Sequence, residues 1–152
     1  MITGDPWVRP AAAADSLMTL DAKSAYLKGV DLVRGSRSSA SLPYFRMALA
    51  QRPDLWQVHA DYASALMNTA VEVAARRGIS ASFTRSTCER VALANEALER
   101  YASAEHLAPT PRDRAFVFRH RAASFAAWGF AWEAWEDQHR AAFEDAARHP
   151  RQ

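Results

Sequence analysis

Ser41-Leu42-Pro43-Tyr44-Phe45-Arg46-Met47-Ala48-Leu49-Ala50-Gln51-Arg52-Pro53 decides the fold. Its plan returns 56 residues later, in Ala97-Leu98-Glu99-Arg100-Tyr101-Ala102-Ser103-Ala104-Glu105-His106-Leu107-Ala108-Pro109. In both stretches a small residue is followed four positions on by an aromatic, three further on by Ala, and five further on by Pro. Spacings of four and three put the first three side chains on one face of a helix. Small residues let a second helix approach closely, the ring fills the space between them, and the Pro ends the helix. A helix built twice to this plan points to stacked helical hairpins.

Outward from these two tails the chain divides readily into helices. A first helix is expected from about Thr19, capped by Thr19 or Asp21, to Gly35. Ser41 is the expected cap of a second helix, with Pro43 in its first turn and its end at Gln51. A third should run from Asp54 to Arg76-Arg77-Gly78, where basic residues followed by Gly form a helix end. After a loop over Ile79 to Arg85, Ser86 and Glu89 read as a capping box opening a fourth helix, Thr87 to Leu107. Thr110 and Pro111 open a fifth that ends at Trp128-Gly129, and a sixth covers Ala131 to Arg148. Six helices with short connections form three antiparallel pairs. The fold class is therefore all-α, over residues 19–148, between a tail at 1–18 and a short tail at 149–152. Trp7 is the one feature of the first tail, read as an anchor tucked onto the body.

The bulk composition narrows the functions. The chain has 152 residues, 49% hydrophobic and 24% charged, which suits one globular domain. The net charge of +2 is too small to imply nucleic acid as a partner, and the signs are interspersed. No run approaches the roughly 20 apolar residues of a membrane span, and Met1 to Leu20 lacks the apolar core of a secretory signal. The expected location is cytoplasmic. Cys88 is the single cysteine, so neither a disulfide nor a Cys-based zinc site can be built within the chain. It reads as a plain helix residue, or as a reactive thiol near Arg85 and Arg90.

The two matched tails, with their neighbours, resemble the tetratricopeptide repeat, a helix pair with a period of 34 residues. In the first unit Gly29 takes the small position of the first helix, and Ser41, Phe45, Ala48 and Pro53 take those of the second. In the next, Tyr62, Ala63 and Leu66 precede Ala97, Tyr101, Ala104 and Pro109. The last unit matches at Ala122, Phe125, Gly129, Ala134 and Ala141, but has Gln138 where an aromatic is usual. Lys28 and Arg121 stand where a large apolar residue is usual. The resemblance implies a short α-solenoid of three antiparallel helix pairs. Its middle pair is elongated, because 56 residues exceed the period by about 22, or three helical turns per helix. Three whole turns preserve every face, so the middle hairpin should project about 16 Å past its neighbours. Its tip carries Arg76, Arg77, Arg85 and Arg90, with Phe83; these read as a solvated end, or as a contact for phosphate or an acidic protein.

Proteins of this family bind a peptide or partner helix in a concave groove lined by the first helix of each pair. Carried over by position, the first unit contributes Lys23, Tyr26, Val30 and Arg34. The second contributes Gln57, Ala60, Ser64 and Asn68, and the third Phe116, Arg119, Ala123 and Ala127. The expected ligand is a protein or peptide segment, amphipathic or mildly acidic; the alternative occupant is the Trp7 tail. The carboxylate clamp of some family members has no counterpart, since its positions hold Tyr26, Val30, Asp61, Phe116 and His120. A second candidate surface is the end of the stack, where Trp128, Trp132 and Trp135 recur at helical spacing. Trp128 and Trp132 would face outward for a partner or for self-association, or else fill the last core. The alternative function is a small metal- or cofactor-dependent enzyme using Glu133, Glu136 and His139. Among the five histidines no metal or catalytic motif supports it, so neither cofactor nor catalytic residue is expected.

Overall fold

The computed structural model describes residues 20–77, 83–128 and 131–147, and those residues are helical, with no strand among them. Six helices follow in order: α1 (Ala22–Arg34), α2 (Ser38–Gln51), α3 (Trp56–Arg77), α4 (Phe83–Leu107), α5 (Pro111–Trp128) and α6 (Ala131–Ala147). They pack as the pairs α1/α2, α3/α4 and α5/α6. The helix α3 also packs on α1, α2 and α5, which joins the pairs into a short solenoid.

Local chemistry explains most boundaries. Of the two caps offered for α1, Asp21 serves. Its carboxylate accepts the Ser24 backbone N–H at 2.9 Å and the Ser24 hydroxyl at 2.8 Å. Thr110 opens α5 by accepting the Asp113 N–H at 3.2 Å, while its own hydroxyl donates to the Asp113 carboxylate at 2.7 Å. The end of α1 differs from the usual glycine stop. Gly35 keeps a negative φ, and Ser36 occupies the left-handed region at φ 56°. The turn is held by Ser36 N–H to Val33 O and Arg37 N–H to Leu32 O, at 3.0 and 2.8 Å.

Two helix starts fall elsewhere than expected. Ser41 is no cap: α2 begins at Ser38, and Ser41 is fully buried inside it, donating to the Ser38 carbonyl at 2.6 Å. The first N–H of α2 instead donates to Glu72 of α3, at 3.3 Å. A carboxylate at a helix N-terminus satisfies an orphan donor and complements the helix dipole. Pro43 accordingly lies in the second turn, where it has no N–H to give the Ser39 carbonyl. α4 begins at Phe83, so Ser86 lies inside the helix and cannot open it.

The core is the repeated pattern made solid. Ser41, Phe45, Ala48, Ala97, Tyr101 and Ala104 are each at most 1% exposed. Phe45 lies between Tyr26 and Tyr62, with ring centroids 6.1 and 6.0 Å away. Its ring also presses on Gly29, where a Cβ would meet it at 3.1 Å. In the third pair Arg121 replaces a large apolar residue. It is accommodated by a two-point ion pair with buried Asp137, at 2.7 and 2.8 Å, and its guanidinium covers the Phe118 ring at 5.4 Å. Lys28, the other departure, is exposed.

The middle pair is the longest, with 22 and 25 residues against 13 to 18 elsewhere. The contact of Ser38 with Glu72 sets the first hairpin's turn about five residues short of the end of α3, roughly 8 Å at 1.5 Å per residue; the tip of the long pair, where the 16 Å overhang is expected, lies outside the described residues.

Two substitutions in the first hairpin should move stability in opposite directions. Gly29→Ala forces a methyl against a ring wedged between two others, and should cost about 1–3 kcal/mol despite alanine's better helix propensity. Ser36→Gly relieves a left-handed serine and should gain roughly 1 kcal/mol. Urea unfolding of both variants beside the wild type measures the two signs.

Candidate functional site: a groove across α1, α3 and α5

Three helices, one from each pair, build a trough. Tyr26, Val30 and Arg34 of α1 and Phe116 of α5 line a cavity of about 410 Å³, with Asp61 and Ser64 of α3 and His120 of α5. Phe45 and Val33 complete its apolar part. A second cavity of about 440 Å³ continues past Ser64, Phe116 and His120, which it shares, to Asn68, Arg119 and Ala123. Eight of the expected groove residues are thus brought together: Tyr26, Val30, Arg34, Ser64, Asn68, Phe116, Arg119 and Ala123. Gln57 lines neither cavity. Its neighbour Trp56 meets Phe116 edge to face, with centroids 5.5 Å apart. Arg119 is tied to Asp145 of α6 at 2.7 Å, which removes much of the basic character expected of the groove.

A line of polar groups crosses the floor. The Tyr26 hydroxyl donates to Asp61 Oδ2 at 2.5 Å. His120 Nδ1 stands 4.0 Å from Asp61 Oδ1, too far for a hydrogen bond, and 3.4 Å from the Ser64 hydroxyl. Ser64 meets the Tyr101 hydroxyl at 2.8 Å, and Tyr101 in turn meets Ser124 at 2.6 Å. Tyr101 comes from α4, so the aromatic of the second repeated tail holds α3 and α5 together at the groove's underside. The His120 ring stacks on Phe116 at 4.1 Å.

Burial sets the protonation states. It is the largest influence on Asp61 and lifts that carboxyl above its usual range; the Tyr26 hydrogen bond, His120 and Arg34 pull the other way. Burial also lowers His120, which is therefore neutral at pH 7, although Asp61 opposes the shift. The Tyr26 phenol is raised by burial and by Asp61 beside it, and stays protonated. Tyr101 is pushed up to about 12, chiefly by burial.

The other candidate surfaces are placed differently. Trp128 does not face outward. It is half-buried against the main core, with the Arg90 guanidinium 5.0 Å above its ring. Arg90 therefore turns to α5. The side chains of Arg76, Arg77, Arg85, Trp132 and Trp135 lie outside the described residues, as does the Trp7 tail. A separate cavity of about 360 Å³ is lined by Met67, Val91, Leu98, Phe125, Trp128 and Glu133, among others. Sequence reasoning did not find it, because its residues come from four helices. Cys88 is exposed. Glu136 and His139 border a depression beside Phe143, but among the described residues no three His, Cys, Asp or Glu gather to hold a metal ion. No described helix is long and apolar enough to cross a membrane.

No protein-family model, no curated protein and no solved structure matches this chain.

Two neutral histidines make stability depend on pH. His59, buried in α3 with Nε2 2.8 Å from the Pro53 carbonyl, is lowered by burial as His120 is. A histidine lowered on folding takes up its proton first in the unfolded chain. Stability should therefore fall as pH drops below about 6.5, by up to about 1.4 kcal/mol per pH unit per histidine. Asp61, raised on folding, takes up its proton first in the folded chain and offsets part of this loss at lower pH. Urea titrations from pH 7.5 to 5.0 should show the decline, and His120→Gln should make it shallower.

Proposed function

We propose that this chain is a binding module of the tetratricopeptide-repeat type, holding a segment of a partner protein along the α1/α3/α5 trough. The carrying observation is the trough itself. Two adjoining cavities share Ser64 of α3 and Phe116 and His120 of α5, and together they involve three successive hairpins. Continuous length is what an extended or helical segment needs, whereas a small substrate needs one closed pocket. The lining also suits a peptide, since apolar walls at Val30, Val33 and Phe116 flank polar groups that can meet backbone amides. Complete burial of the small, aromatic and small positions in both repeated tails supports the family resemblance. An exposed cysteine with no second to pair with suits the reducing cytoplasm.

Selection of a random peptide library against the immobilised chain tests this reading. Enriched peptides should bind saturably, and Phe116→Glu, which places a charge on the apolar wall, should weaken them about tenfold or more. Leu98→Glu, on the separate cavity lined by α4, should leave affinity within about twofold. Equal loss in both variants, or in neither, would remove the groove as the binding surface.

A further inference from the structure

The groove holds one carboxylate whose bonding is half complete. Asp61 Oδ2 is engaged by the Tyr26 hydroxyl, whereas Oδ1 has His120 at 4.0 Å and receives no hydrogen bond among the described residues. The Asp61 side chain is 24% exposed, and it lines the cavity. Around it stand the rings of Tyr26, Phe116 and His120, with Val30 and Val33 beside them. A carboxylate flanked by aromatic rings at the end of an apolar passage is the arrangement that receives a long cationic side chain. The methylene stem lies on the apolar wall, the charged end meets the carboxylate, and the ring faces add a cation–π attraction.

We infer that Asp61 is the anchor of the groove, and that the partner segment it selects presents a Lys or Arg side chain into the cavity between α1, α3 and α5. The inference rests on the groove being the binding surface and adds the chemistry of its ligand. The titratable groups facing Asp61, besides Tyr26, are Arg34, which is charged, and His120. Arg34 closes α1 and is exposed, so water and salt screen its repulsion of an incoming cation. Its positive field, with the Tyr26 hydrogen bond, favours the ionised carboxylate against burial. His120 is neutral and adds no competing charge at pH 7. Arg119, the other cation near the trough, is occupied by Asp145. The anchor thus reverses the acidic preference that the groove's basic residues suggested.

The test uses the peptides enriched on the intact chain, titrated by fluorescence anisotropy. They should share a Lys or Arg at one position, and replacing it with Gln should weaken binding to the wild type about tenfold or more. That substitution lies on the peptide and needs no altered protein to fold. Asp61→Asn, which keeps the acceptor for Tyr26, should abolish the difference between the basic peptide and its Gln version. Three results overturn the inference. Binding that is lost in Phe116→Glu yet indifferent to both the Gln peptide and Asp61→Asn leaves the groove standing without this anchor. Enrichment of acidic peptides assigns the recognition to Arg34 instead. Absence of any groove-dependent binder removes the inference together with the groove reading.

Discussion

The ring of Phe45 presses on Gly29, where a Cβ would meet it at 3.1 Å, closer than ordinary contact, and the first half of the solenoid is organised around that approach. The glycine lets α1 and α2 come together without displacing the ring. The space so freed is filled by a ring that also touches Tyr26 and Tyr62. One side chain therefore couples the spacing within a hairpin to the spacing between hairpins. Tyr101 holds the equivalent place in the second unit, with a difference of chemistry. Its hydroxyl reaches Ser64 and Ser124, so the second junction is fastened by hydrogen bonds as well as by packing. Such bonds in a buried setting are directional, and they fix the rotation of α5 against α3 more narrowly than ring contact does.

What the sequence disclosed follows from the range of the interactions involved. Helices whose ends depend on residues three apart, as at Asp21 with Ser24 and Thr110 with Asp113, are legible in one dimension. So is the core face, because small and aromatic positions repeat at helical spacing. The start of α2 was misplaced because its cap is Glu72, 34 positions away and on another hairpin. Register along the helix leaves Trp128 open between an outward place and the core, because its cover, Arg90, comes from α4.

The candidate site divides along the same line. Residues lining the trough could be carried over by register from one helix to the next, and eight of them meet around it. Their electrostatics could not be. Arg119 is spent on Asp145, and Asp61 gains its significance only from Tyr26 and His120, which approach it from two other helices. A lone acidic residue between Ala60 and Tyr62 carries no such message in the chain itself. Ion pairs also absorb the third unit's departure from the repeat: Arg121 is acceptable at a core position because Asp137 lies directly opposite.

Glu72 has a consequence for how the molecule is made. The opening amide of α2 finds its acceptor on the following hairpin, so the N-terminal pair is not a self-sufficient brick. During synthesis the leading turn of the second helix has only water for that acceptor until the polypeptide has grown some thirty-four residues further. The boundary between repeats seen along the chain is thus bridged by a bond that neither pair makes alone.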